Sequence, residues 1–135
     1  MSKPVSSNAT VFRAISHKRW IKDAQVAPDA FFLRPAKNDR KAETELSMLT
    51  QANCSMEICF AGLDTCFGEI EIKVESIKQL GLDIIDDSEK LGIPYHASII
   101  NLPPHEGNTL AQAEFFAGEL AKRFVQIKVR PKILK

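Results

Sequence analysis

Two stretches of the chain alternate apolar and polar residues with a period of two, and the rest is read around them. Over residues 67–75, Ile70, Ile72 and Val74 alternate with Glu69, Glu71, Lys73 and Glu75. Over residues 125–130, Val125, Ile127 and Val129 alternate with Gln126, Lys128 and Arg130. Successive side chains of a strand point to opposite faces, so each stretch predicts a half-buried strand with one aliphatic side. The first is acidic on its polar side and the second basic. As neighbours in one sheet, they would set Glu69 or Glu71 across from Lys128 or Arg130 and so fix register.

The longest helical pattern follows a loop marked by Pro103, Pro104 and Gly107. Leu110, Ala113, Ala117, Leu120, Ala121 and Phe124 fall on one stripe at helical spacing. The helix is expected to start at Asn108 or Thr109 and end near Arg123, with Lys122 and Arg123 complementing its dipole. Asn53 caps a second helical pattern over residues 53–63. A third covers 75–80, where Gly81 supplies a left-handed stop. Short strands are expected over 10–15, 44–49, 82–85 and 95–101. Ser16 caps a turn over 17–21. Residues 28–35 read as a loop leading into an edge strand, because Pro35 cannot donate to a ladder. Residues 36–43 read as an exposed loop, and the acidic turn at Asp86, Asp87 and Glu89 separates two strands.

Strands outnumber helices and do not alternate regularly with them. The pattern predicts an α+β fold in one compact domain: a mostly antiparallel or mixed sheet with one long C-terminal helix and one or two short helices packed on it. Residues 1–9 read as a disordered tail, 10–131 as the globular domain and 132–135 as a second tail.

Charge adds a further feature. Residues 1–41 hold nine Lys/Arg against three Asp/Glu, residues 42–89 two against eleven, and residues 90–135 seven against three, for a net charge of +1. A nearly neutral chain is thus assembled from polarised blocks, which folding can bring together or leave as separate faces that steer partners. The balance gives no general nucleic-acid footprint. No stretch has the roughly 20 apolar residues a membrane span needs, and the polar N-terminus lacks a signal core, so a cytoplasmic protein is expected. Cys54, Cys59 and Cys66 are odd in number and lack zinc-ligand spacing, which suits free thiols in a reducing compartment. Neither a metal nor a cofactor is indicated: no Gly-rich phosphate loop, His pair or nucleophile elbow is present.

A few residues stand out for their chemistry. Arg13 shares a strand face with Val11 and Ile15, so its guanidinium needs an acceptor, either an acid of the middle block or a bound anion. Arg34 sits beside Phe31, Phe32 and Leu33, placed to stack, to hold a ligand or to reach water. Trp20 follows His17, Lys18 and Arg19, a weak version of a single-strand-binding cluster. His96 is the best candidate acid or base, and Ser47 is a nucleophile only if a base lies beside it. His105, in a Pro-rich loop, reads as exposed.

The strings FRAISHKRW (Phe12 to Trp20), AFFLRP (Ala30 to Pro35), LGLDII (Leu80 to Ile85) and HASIINLP (His96 to Pro103) resemble a family of small bacterial proteins without assigned activity. The resemblance implies a stand-alone domain and no particular chemistry. This chain has Glu45 where a glycine would precede Leu46 and Ser47, and Ser98 where an acid would follow His96 by two residues. A fainter likeness to ADP-ribosyltransferase-type domains would map Arg13, Ser47 and His96 onto an arginine strand, a serine strand and a further site residue, with no counterpart for the catalytic carboxylate.

Three functions follow as expectations. The first is a non-enzymatic protein-interaction module that meets a protein partner or a second copy of itself as a homo-oligomer. The second is a small enzyme handling a nucleotide or phosphate ligand, with Arg13, Arg34 and His96 meeting in one pocket. The third is a weak binder of single-stranded nucleic acid through Trp20.

Overall fold

The computed structural model describes residues 3–15, 17–34, 41, 43–51 and 67–129. Ser16, Pro35, the helix expected over 53–63, the three cysteines, Arg130 and the 132–135 tail lie outside the described residues, as does most of the 36–43 loop. The chain forms strands β1 (Lys3–Pro4), β2 (Thr10–Ala14), β3 (Ile21–Lys22), β4 (Gln25–Val26), β5 (Leu46–Leu49) and β6 (Gly68–Lys73), then helix α1 (Val74–Gln79) and β7 (Ile84–Asp86). Helix α2 (Ser88–Leu91), β8 (His96–Ile99), α3 (Leu110–Lys122) and β9 (Phe124–Val129) complete the elements of the described residues. Short 3-10 turns cover Lys18–Trp20, Pro28–Phe31 and Gly107–Thr109.

Seven strands form one sheet in the order β1-β7-β8-β5-β2-β6-β9, and every pairing is antiparallel. The two alternating strands are indeed neighbours, with Glu69 opposite Lys128. Val125 departs from the expected side. A register shift between Glu71 and Ile72 sets Phe124 across from Ile72 and leaves Val125 exposed, as a bulge does by inserting one unpaired residue.

One sheet face carries Val11, Ile70, Ile72, Leu46, Met48, Ala97, Ile99 and Ile84 into the core. Ala117, Leu120 and Ala121 of α3 belong to that core, and the helix packs against the Pro28–Phe31 turn. The long helix is a 13-residue α-helix preceded by a 3-10 turn, and a strand follows it. Leu110, at the start of its stripe, remains exposed. Gly81, at φ 84°, stops α1 as its sequence implies.

Three parts of the sequence reading are corrected. Residues 3–5 are tied down rather than frayed: Lys3 and Pro4 pair with Asp86 and Ile85, and Val5 is buried. The 28–35 stretch begins with a 3-10 turn, with Pro28 in its first turn where a missing N–H costs nothing. Residues 21–26 form a hairpin, β3–β4, turning through Asp23 and Ala24 at positive φ. Ala24 is an uncommon residue there, so the turn carried no Asn-Gly or Asp-Gly signature.

Candidate functional site

Strand alternation decides which chemistry meets. On β8, Ala97 and Ile99 enter the core, so His96 and Ser98 project from the opposite face. Asp87, just past β7, turns its carboxylate onto both. Oδ1 lies 2.6 Å from His96 Nδ1, and Oδ2 accepts a hydrogen bond from Ser98 Oγ at 2.6 Å. All three residues are buried. Burial works to raise the Asp87 pKa, but the hydrogen bonds from His96 and Ser98 outweigh it and hold the carboxyl below the usual range. An ionised acceptor on Nδ1 assigns the ring proton to that nitrogen in the neutral imidazole and leaves Nε2 as the basic position. Among the described residues Nε2 has no hydrogen-bond partner.

Beside His96 lies a cavity of about 260 Å³ lined by Phe12, Arg13, Ala14, Ser47, Met48, Leu49, Ile93 and His96. Phe12 pairs with Leu49 and Leu49 with His96, so the three form a row across β2, β5 and β8 on the face away from the core. Ala14 and Ser47 project from the same face by alternation. Strands β2 and β5 share only the Phe12–Leu49 pair, and the cavity sits where they part.

The loop before His96 is strained. Tyr95 has a left-handed φ of 63°, and Thr50 donates to its carbonyl from both its amide (2.8 Å) and its hydroxyl (3.3 Å). A bulky residue holds that conformation only when its surroundings impose it, and here the next residue is His96.

Arg13 goes the other way. It lies opposite Ile70 on the core face, where Nε donates to Ala30 O at 2.9 Å and Nη1 to Ser47 O at 3.0 Å. Its guanidinium stands 5.4 Å from the centroid of the Trp20 ring. Burial lowers its pKa to about 10, against the opposing charge of Glu43 and with Arg34 adding to the fall; it remains a cation at neutral pH. The expected carboxylate partner is replaced by two backbone carbonyls and an indole face. Arg13 is therefore a brace between the Pro28–Phe31 turn, β2 and β5.

Arg34 is not at the cavity. Its amide and Nε bond the two oxygens of Glu43 at 2.7 and 3.1 Å, and Nη2 approaches Oε2 at 3.0 Å. Trp20 is buried, edge-on to His17 at 5.2 Å between centroids. His105, expected to be exposed, stacks on Phe32 with centroids 3.7 Å apart. Of the five candidates, then, Arg13, Ser47 and His96 all border the cavity, and Ser47 and His96 share the sheet face that opens onto it. The Arg13 donors are taken up by backbone carbonyls, and Arg34 and Trp20 lie outside the lining.

Sequence reasoning missed Asp87. Its signal was the Asp86-Asp87 pair closing the apolar LDII strand, which folds back antiparallel onto β8. Ser98, two residues after His96 on the same strand, hydrogen-bonds to Asp87 as well. Among the described residues no group of three or more His, Cys, Asp or Glu is placed to hold a metal ion, and no helix is long and apolar enough to cross a membrane. Comparison with known protein families, with curated proteins and with solved structures finds no match to this chain.

Proposed function

We propose that the domain is a small enzyme in which His96, oriented by Asp87, acts as general acid and base on an uncharged group seated in the cavity. One observation carries this reading: a buried carboxylate holds one ring nitrogen at 2.6 Å while the other, unpartnered among the described residues, belongs to a residue of the cavity wall. A carboxylate in that position fixes tautomer and ring orientation and stabilises the imidazolium formed on taking a proton. The phosphate-handling version of the enzyme reading is set aside, because Arg13 and Arg34 spend their donors on carbonyls and on Glu43. The nucleic-acid reading loses its stacking residue, since Trp20 is buried beneath Arg13.

Hydrolysis of p-nitrophenyl acetate by single histidine variants tests the proposal, the chain's three histidines providing internal controls. His96→Gln is expected to lower the rate by about a hundredfold, whereas His17→Gln and His105→Gln leave it nearly unchanged. A His96→Gln protein as active as the parent would overturn the reading.

The interaction-module reading is retained on a separate observation. An open groove of about 620 Å³ is lined by Asn101, Pro103, Ala111, Gln112, Phe115 and Phe116, and Phe115 is 59% exposed. Exposed apolar surface of this kind marks contact sites. Sedimentation velocity over a wide concentration range tests self-association, which Phe115→Ser should weaken; a single monomeric species throughout argues against it. A reducing, cytoplasmic setting belongs to both readings.

A further inference from the structure

We infer that Ser47 is the nucleophile of this site and that its substrate is a carboxylic ester with a short apolar acyl group. The inference rests on the acid–base role proposed for His96 and adds the covalent step to it.

Ser47 is exposed on β5 and projects into the cavity face. Its Oγ has no hydrogen-bond partner among the described residues. Ser47 stands opposite Ser98 and His96 opposite Leu49, so Ser47 and His96 are diagonal neighbours on adjacent strands. Their Cβ atoms are then about 7 Å apart, a gap that rotation of the exposed Ser47 hydroxymethyl group narrows toward an imidazole held in place by Asp87. Catalytic hydrogen bonds are commonly loose until substrate arrives. Asp87, His96 and Ser47 thus supply orienter, base and nucleophile in the order that acyl transfer requires.

The backbone beneath Ser47 is held on the core side. Leu46 and Met48 are both fully buried, and the Ser47 carbonyl accepts from Arg13 Nη1 at 3.0 Å. The cavity above it is walled by Phe12, Leu49 and Ile93. Arg13 borders the cavity, but its Nε and Nη1 are committed to the carbonyls of Ala30 and Ser47, and the rest of the wall apart from His96 carries no charge. Such a lining favours an uncharged apolar group over a phosphate or carboxylate. At about 260 Å³ the space is below the range of sites for drug-sized ligands, which limits the acyl chain to a few carbons.

The step balances without a further reactant. Ser47 Oγ passes its proton to His96 Nε2 and bonds to the ester carbonyl carbon. The carbon–oxygen bond to the alcohol then breaks, and the departing oxygen takes the proton back from Nε2. Water, deprotonated by His96, attacks the acyl-serine; the acid leaves and Ser47 recovers its proton.

Incubation of the whole chain with p-nitrophenyl butyrate, read by p-nitrophenolate release, intact mass and peptide mapping, tests the inference. The parent protein is expected to show a burst and one added butyryl group on the peptide containing Ser47. Ser47→Ala should lose both while its circular dichroism is unchanged, and Ser47→Cys should form the same adduct as a thioester. His96→Gln should slow acylation by about a hundredfold or more. If Ser47→Ala keeps the parent rate, or the butyryl group maps to another residue, Ser47 is not the nucleophile although His96 can still be the base. If His96→Gln keeps the parent rate, the acid–base reading fails with it.

Discussion

Replacing Asp87 with alanine should cost a large share of the stability of this domain. The carboxylate accepts two hydrogen bonds at 2.6 Å from groups that are themselves buried, His96 Nδ1 and Ser98 Oγ. Without it, both donors remain buried and unpaired, at about 1–3 kcal/mol each. Relief of the carboxylate's own desolvation offsets part of that, leaving an expected net loss of about 2–4 kcal/mol, against a total of about 5–15 kcal/mol for a domain. Ser98→Ala removes one donor and leaves Asp87 bonded to His96, so about 1–2 kcal/mol is expected. Because the two side chains share one network, their effects should not add: Asp87→Ala should cost less in a Ser98→Ala background, with a coupling above about 0.5 kcal/mol. Urea unfolding followed by fluorescence of the single tryptophan, which is buried, measures all four proteins. An Asp87→Ala cost within the ±0.5 kcal/mol or so of an ordinary surface change, or strict additivity of the pair, would refute the network argument.

Other outcomes follow from the same geometry. Because the folded-state pKa of Asp87 is lowered, its contribution should be complete above the unfolded value of about 3.9 and disappear as pH falls through the lower folded value; the parent should therefore lose more stability on acidification than Asp87→Asn does. Arg13→Met should destabilise by about 1–3 kcal/mol, chiefly through the part-buried Ala30 carbonyl left unpaired, since water reaches the Ser47 carbonyl, and Arg13→Lys should recover only part, since an ammonium cannot reproduce the guanidinium fork; equal stability of Arg13→Lys and the parent in urea would count against the brace. Arg34→Ala should shift the melting temperature little, its exposed pair with Glu43 contributing about 1 kcal/mol or less.

What the sequence disclosed of this fold depended on how local the cause was. Strands β6 and β9 were legible because alternation is a local signal, and Glu69 on Lys128 is one of the pairings that their opposite charges left open. The bulge that turns Val125 outward was not, because it arises from how one strand meets its neighbour. Helix α3 and the Gly81 stop followed from periodicity and from backbone freedom. The placing of β5 between β8 and β2 had no local mark, and it is this placing that brings Ser47 beside His96. His96 and Ser47 could be named from residue type alone. Asp87 could not, because its role depends on a hairpin that closes nine residues of chain. Arg13 was rightly seen as a cation needing acceptors, but carbonyls of Ala30 and Ser47 cannot be read from side-chain identities.

The pairing of β1 with β7 has a consequence for the chemistry. Lys3 and Pro4 lie along Asp86 and Ile85, and Lys78 Nζ reaches the carbonyl of Val5 at 3.1 Å. The first described residues of the chain therefore clamp the outer side of the strand that delivers Asp87 to its histidine. Trimming past Val5, or a fusion that pulls this segment off the sheet, would slacken the carboxylate from a distance, so that changes at the amino end register as lost imidazole alignment.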